Sequence, residues 1–141
     1  MQDSMHSRRG FLAALVGAIA SLTVGWLPDR AAAFARPARA GHPDPRPGID
    51  GSHVLGAGEV DAEVAELYDG IREIPQVVDG IRCYCGCDEL EGFYSLLSCY
   101  EASGMAQLCD ICQGEGRLVT RLHGEGRSLD EIRAAIDRRF A

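Results

Sequence analysis

Sulfur-containing side chains are concentrated in one short stretch of this sequence. Residues 83–87 read Cys-Tyr-Cys-Gly-Cys, which places three of the six cysteines within five residues. We call these three the cysteine triplet. Closely spaced thiolates are typical ligands of soft metal ions, so the pattern indicates Zn²⁺ or Cu(I). The full set of candidate ligands is Cys83, Cys85, Cys87, Cys99, Cys109 and Cys112.

The spacing of these cysteines allows their sulfurs to converge. Side chains at alternate positions of an extended segment lie on one face, so the triplet can present three sulfurs to one point. Gly86 lets the backbone bend around that point without a Cβ clash. Cys109 and Cys112 are three residues apart and share a face if that segment is helical. An extended triplet meeting a helical pair, with Cys99 nearby, outlines a thiolate cage.

Two other chemistries remain open for the same residues. Six cysteines can form three disulfides, which are common in small exported domains. The tight ring of a Cys-x-Cys pair strains disulfide geometry, so such bridges would run from the triplet to Cys99, Cys109 or Cys112. Alternatively, Cys109 and Cys112 form a working thiol–disulfide pair, because a cysteine at the start of a helix is activated as a nucleophile.

The N-terminal segment predicts export from the cytoplasm. Arg8 and Arg9 are followed by an uncharged apolar run over residues 11–27, and residues 33–35 offer an Ala-Phe-Ala cleavage site. The paired arginines before Gly-Phe-Leu resemble a twin-arginine signal. We therefore expect a signal peptide over residues 1–35, the twin-arginine export machinery as a partner, and a location in the periplasm or on the extracytoplasmic face. An uncut signal would tether the protein to the membrane.

The export route bears on the chemistry. Proteins carrying a twin-arginine signal cross the membrane already folded, often with a cofactor inserted beforehand. A thiolate site can then bind its metal in the reducing cytoplasm and be exported closed. This favours metal binding over a framework of disulfides alone.

Charge excludes one class of partner. The chain has no lysine, and its 14 arginines are outnumbered by 21 acidic residues, for a net charge of −7. Proteins that bind nucleic acids carry a basic patch, which this composition does not provide. Nucleic acid is therefore not expected as a partner.

Residues 36–58 and residues 59–141 differ in composition. The first segment is rich in proline and glycine and lacks apolar periodicity, so we predict a disordered linker. The second shows apolar residues at helical spacing and no strand pattern, which predicts an all-α fold, a small helical bundle with the cysteine triplet on a loop between helices.

Five elements are expected in the helical domain. Apolar spacing predicts helices over residues 59–74, 88–100 and 105–123 and a short turn over residues 76–81. Ser128 should begin a last helix, because Glu131 stands three residues later in the position of a capping box. A hydrophobic core of this size often needs disulfides or a bound metal ion for stability, and the cysteines would supply either one.

The cysteine-containing blocks resemble those of the bacterial family named for its Pro-Cys-Tyr-Cys-Gly-Cys motif. The similarity includes residues 63–68, 83–87, 95–99, 109–112 and 126–132 and so extends over most of the helical domain. It implies an exported protein or lipoprotein. This sequence departs from the family pattern at two positions: Arg82 replaces the proline of the motif, and Phe93 stands where a histidine is expected.

A weaker similarity is to the thiol reductase of cytochrome c maturation, which is also a small exported helical bundle. Residues 81–83, which read Ile-Arg-Cys, and residues 126–132 match the ends of that domain. The resemblance implies an exported cytochrome or other metalloprotein as a partner. The Cys-x2-Cys pair of that protein is not reproduced, since Cys83 and Cys85 form Cys-x-Cys, and the redox role is not carried over.

The sequence thus favours a non-enzymatic, exported metal-binding protein in which all six cysteines are ligands of Zn²⁺ or Cu(I). A zinc ion would have a structural role, and Cu(I) would indicate storage or delivery. The alternatives are a thiol–disulfide oxidoreductase or accessory protein in the maturation of cytochromes and metalloproteins, and a disulfide-stapled interaction domain.

Overall fold

A computed structural model describes residues 41–141, and the predicted signal peptide lies outside them. These residues form four α-helices and no strand, which confirms the all-α prediction for this part of the chain. None of these helices combines the length and apolarity needed to cross a bilayer. In chain order the helices are α1 (Ala62–Glu73), α2 (Pro75–Asp79), α3 (Asp110–Gly124) and α4 (Leu129–Phe140).

Helices α1 and α2 follow the apolar spacing of the sequence. The buried face of α1 consists of Val64, Leu67, Tyr68 and Ile71, at steps of three and four residues. Pro75 occupies the first turn of α2, where its missing N–H costs no hydrogen bond. The two helices are therefore separated at the proline, and α2 leads directly toward the cysteine triplet.

Helix α4 begins as the capping-box pattern predicts. The Ser128 hydroxyl accepts a hydrogen bond from the Glu131 backbone N–H at 3.3 Å, and the Glu131 carboxylate accepts one from the Ser128 N–H at 2.9 Å. The buried side chains of α4 are Ile132 and Ile136, and the helix packs against α3. The C-terminal helix thus closes one side of the core through its packing against α3.

The prediction of a helix over residues 88–100 is wrong. Two short 3₁₀ turns, Cys87–Glu89 and Leu96–Tyr100, stand at its ends. Gly92, between them, has a φ of +90°, a conformation that interrupts a right-handed helix. The Leu96 N–H donates to the Ile81 carbonyl at 2.8 Å instead of to a helical partner. This long-range bond turns the segment inward and buries Cys99.

The helix predicted over residues 105–123 begins five residues later, at Asp110. A separate 3₁₀ turn covers Ala106–Leu108. Cys109 is the N-cap of α3, and its sulfur accepts a hydrogen bond from the Cys112 backbone N–H at 3.4 Å. Cys109 therefore caps the helix, and Cys112 lies in its first turn.

The segment of residues 41–58 lies within the predicted linker; it contains no helix but makes specific contacts with the helical domain. The Leu55 N–H donates to the Tyr100 carbonyl at 3.1 Å, and Val54 is buried. Arg46 makes an ion pair of 2.8 Å with Asp79 of α2. The composition suggested disorder because the segment has few apolar residues, but its polar groups find partners on the helical domain.

We predict that Asp79→Asn lowers the free energy of unfolding at pH 7 by about 1–3 kcal/mol, the usual cost of losing hydrogen bonds to a buried charged group. The Asp79 side chain is fully buried and accepts hydrogen bonds from Arg46 and from the Ser95 hydroxyl. Burial alone would raise the pKa of Asp79, but these hydrogen bonds outweigh it and lower that pKa. Urea denaturation of the two proteins measures the difference.

This contribution should depend on pH in a defined direction. Because the native pKa of Asp79 is lowered, its stabilisation is present above about pH 3.9, the pKa of an unfolded aspartate, and is lost as the pH falls through the native value. The difference in the free energy of unfolding between the wild type and Asp79→Asn should therefore become smaller at acid pH. Asp69→Asn is the control, because Asp69 pairs with Arg72 at the surface. Equal losses in the two variants would contradict the prediction.

Candidate metal centre

The cysteine triplet forms a tight loop between α2 and the Cys87–Glu89 turn. Gly86 has a φ of +95°, so the predicted bend at this glycine is confirmed. The sulfur of Cys85 lies 3.1 Å from that of Cys83 and 3.0 Å from that of Cys87. The sulfurs of the triplet are thus brought together by a turn with its bend at Gly86, and not by the extended segment that the alternate spacing predicted.

Four cysteines from three parts of the chain converge. The sulfurs of Cys83, Cys85, Cys99 and Cys112 all lie within 4.8 Å of one another, and we call this group the four-cysteine centre. Two come from the triplet, one from the Leu96–Tyr100 turn and one from the first turn of α3. The Cys112 sulfur is 3.6 Å from that of Cys83 and 3.5 Å from that of Cys85. Except for Cys85, these side chains are buried.

The separations suit a shared metal ion. Zinc–sulfur bonds of about 2.3 Å in a tetrahedron place neighbouring sulfurs about 3.8 Å apart. The separations of 3.1–3.6 Å among Cys83, Cys85 and Cys112 approach that value and far exceed a disulfide bond of about 2.05 Å. All six cysteines have free thiols in this structure. The four-cysteine centre therefore has the donor atoms and spacing for a thiolate-bound metal ion.

The two remaining predicted ligands lie at the edges of this group. Cys87 contacts Cys85 and has only 3% of its surface exposed. Cys109 is partly exposed and is engaged as the N-cap of α3. The predicted set of six therefore divides into a compact group of four and two peripheral cysteines.

The thiols of this cluster differ in acidity. Burial alone would raise the pKa of Cys85, but hydrogen bonds with Cys87, Cys83 and Cys112 outweigh it and lower that pKa. The hydrogen bond with Cys112, together with burial, raises the pKa of Cys83. For Cys99 the hydrogen bond with Cys112 lowers the pKa, but the one with Cys83 and burial outweigh it, so the pKa is raised. A bound cation would be needed to hold several thiolates together here.

Sequence reasoning missed Glu115, which lies one turn beyond Cys112 on α3. Its side chain is fully buried, and its Oε1 accepts a hydrogen bond of 2.8 Å from the Tyr84 N–H of the triplet loop. Burial raises the pKa of Glu115 to about 7, although the bond from Tyr84 opposes this shift. The signal in the sequence is a carboxylate between two glycines, Gly114 and Gly116, within a helical pattern.

Met105 was also missed as a possible ligand. Its sulfur lies 3.0 Å from the sulfur of Cys87, and 48% of the residue is exposed. The side chain of Gln113 donates to the carbonyls of Ala106 and Gln107 at 3.0 Å, which holds the turn after Met105 against α3. The sequence alone separates Met105 from Cys87 by 18 residues, so only the fold brings the two sulfurs together.

A polar network fixes the triplet loop from outside. Arg82, which stands where the resembled motif has proline, makes a largely buried ion pair with Asp88 across the loop. The Arg82 N–H donates to His42 Nδ1 at 2.9 Å, and His42 Nε2 lies 3.0 Å from the Asp137 carboxylate. The Tyr84 hydroxyl also donates to Asp137. The loop is thus held in place by α4 and by the segment of residues 41–58.

Comparisons with protein-family models, with curated proteins and with solved structures find no match to this chain. The resemblance to the Pro-Cys-Tyr-Cys-Gly-Cys family therefore stays a prediction based on the motif blocks.

Proposed function

We propose that this chain is an exported protein that binds a soft metal ion, Zn²⁺ or Cu(I), through its four-cysteine centre. The observation that carries the proposal is the convergence of the Cys83, Cys85, Cys99 and Cys112 sulfurs within 4.8 Å. Clustered thiolates favour these two ions over Mg²⁺ or Ca²⁺, which prefer oxygen ligands.

The position of the centre in the fold supports a stabilising role for the ion. Its ligands come from the triplet loop, from the Leu96–Tyr100 turn and from the start of α3, and a single ion would tie these elements together. The loop and the turn lack the regular hydrogen bonding of long helices. Metal binding to such a site contributes directly to the free energy of folding.

Export is part of the proposal and rests on the N-terminal sequence. A twin-arginine signal would carry the folded domain across the membrane with the ion already bound. Loading in a reducing compartment would keep the six thiols available as ligands until the ion shields them. A metal role in the periplasm or on the extracytoplasmic face follows, with either a structural ion or Cu(I) for storage or delivery.

The two alternatives have less support from the geometry. A redox pair of Cys109 and Cys112 needs an accessible thiol of low pKa. Cys112 is fully buried: the hydrogen bond with Cys83 lowers its pKa, but that with Cys99 and burial outweigh it and raise the pKa. A disulfide-stapled domain would need the sulfurs to move closer together, and metal content together with intact mass separates that state from a metal-bound one.

The test is the metal content and the intact mass of the full-length chain, purified separately from the cytoplasm and from the periplasm of an expressing bacterium. We expect zinc or copper at one or more ions per chain, and a denatured mass that corresponds to six free thiols. Folded protein without metal, with the mass of six hydrogens missing under non-reducing conditions, would reject metal binding in favour of three disulfides. The cytoplasmic sample controls for oxidation after export.

A further inference from the structure

The row of neighbouring sulfurs does not end at the four-cysteine centre. From Cys85 it continues to Cys87 at 3.0 Å and from Cys87 to the thioether of Met105 at a further 3.0 Å. A four-coordinate ion bound to the centre is already complete with four thiolates. The sulfurs of Cys87 and Met105 are then left over, side by side, next to a ligand of that ion.

We propose that Cys85, Cys87 and Met105 form a second metal position that takes Cu(I), so that the protein binds two Cu(I) ions that share the Cys85 thiolate. This inference rests on the proposed function and makes it more specific. It assigns a ligand role to Met105. It also favours Cu(I) over Zn²⁺, a choice that the four-cysteine centre alone leaves open.

The choice of Cu(I) follows from the donor atom of Met105. Thioethers are soft ligands that select Cu(I), whereas protein-bound zinc is held by cysteine, histidine and carboxylate ligands. A position made of two cysteine sulfurs and one methionine sulfur therefore suits Cu(I) and does not suit Zn²⁺. The Cys87 sulfur lies 3.0 Å from that of Cys85 and 3.0 Å from that of Met105, so it is the central donor of the three.

Cys85 is placed to be shared. Its sulfur lies 3.1 Å from that of Cys83 and 3.5 Å from that of Cys112, both members of the four-cysteine centre, and it also lies 3.0 Å from that of Cys87. A thiolate sulfur has enough lone pairs to bind two metal ions at once. The second position therefore adds only Cys87 and Met105 to a ligand that the first ion already uses.

The second position is also the one nearest to solvent. Met105 has 48% of its surface exposed, whereas Cys83, Cys99 and Cys112 of the four-cysteine centre have none. The hydrogen bonds from Gln113 to the turn that follows Met105 keep this methionine close to Cys87. An ion beside Met105 should therefore be the first to leave when a competing ligand is added.

The experiment is an anaerobic titration of the reduced, full-length protein with Cu(I) in competition with bicinchoninate, with Zn²⁺ titrated in parallel. We expect two Cu(I) ions per wild-type chain but one Zn²⁺ ion. In Met105→Leu, which keeps the size and loses the sulfur, the second Cu(I) should bind at least about tenfold more weakly, since even loss of an indirect partner of a metal ligand costs 10–100-fold in affinity. The first Cu(I) and the Zn²⁺ should bind as in the wild type.

Leu108→Ala is the matched control. Leu108 is an apolar residue of the same turn region, is 88% exposed and has no sulfur, so its loss should leave both Cu(I) ions in place. Binding of a single Cu(I) by the wild type, or identical Cu(I) titrations of the wild type and Met105→Leu, would overturn the second position and leave the proposed function standing. Failure of the wild type to bind either metal would instead reject the proposed function.

Discussion

Cys112→Ser is expected to abolish tight metal binding and to leave the domain largely unfolded at 37 °C. Cys112 joins α3 to the triplet loop, with its sulfur 3.6 Å from that of Cys83 and 3.5 Å from that of Cys85. Structural metal sites contribute on the order of 10 kcal/mol of binding free energy, comparable to the whole stability of a small domain. Metal content after purification and thermal denaturation followed by circular dichroism measure both effects. A strong chelator added to the wild type should reproduce the unfolding.

Cys109→Ser is the matched control for this variant, because it makes the same chemical change three residues earlier. Cys109 caps α3 and lies outside the four-cysteine centre. Serine is among the best N-cap residues, so this variant should keep its metal and lose less than about 1 kcal/mol of stability. Equal loss of metal in the two variants, or a folded and metal-loaded Cys112→Ser protein, would refute the assignment of the four ligands.

Gly116→Ala is expected to be the most damaging glycine substitution in α3. A Cβ at this position would lie 2.1 Å from the Tyr100 hydroxyl oxygen and 3.0 Å from the ring carbon that bears it. Tyr100 is fully buried, and its hydroxyl donates to the Cys112 carbonyl at 2.6 Å. Overpacking costs about 1–3 kcal/mol and an unpaired buried polar group about as much again, so the expected loss is about 2–6 kcal/mol.

The same substitution should weaken metal binding, because Tyr100 follows Cys99 in the chain and its displacement moves that ligand. Urea denaturation and a metal competition assay measure the two losses. Gly124→Ala, at the last residue of the same helix, is the control: its Cβ would meet nothing within 4 Å. Alanine favours a helix by up to about 1 kcal/mol over glycine, so Gly124→Ala should be neutral or stabilising. Similar changes in stability and in metal affinity for Gly116→Ala and Gly124→Ala would contradict the proposed clash between a Cβ at position 116 and Tyr100.

Local sequence patterns were sufficient for the elements whose stability is itself local. The apolar spacing of α1 and the capping box of Ser128 and Glu131 depend on residues three or four positions apart. The bend at Gly86 depends on a single residue, and this bend brings the neighbouring cysteines of the triplet together within one turn. These features were correctly predicted because no distant part of the chain is needed to produce them.

The errors arise where distant contacts decide the structure. Residues 88–100 carry a helical apolar pattern, yet the bond from Leu96 to Ile81 and the positive φ of Gly92 produce two short turns instead. The pairing of Met105 with Cys87 and the burial of Glu115 against Tyr84 depend on the complete fold. Apolar periodicity contains no information on such contacts. A cluster of cysteine ligands could therefore be proposed from the sequence, but which residues belong to it could not.

The contacts of residues 41–58 have a consequence for any attempt to isolate the smallest independently stable fragment. Removing them would expose the Asp79 carboxylate on the inner side of α2 without the Arg46 guanidinium that neutralises it. The Tyr100 carbonyl would lose the Leu55 amide, and the triplet loop would lose His42. A fragment that starts at α1 would therefore be an incomplete folding unit, and the true boundary lies upstream of residue 42.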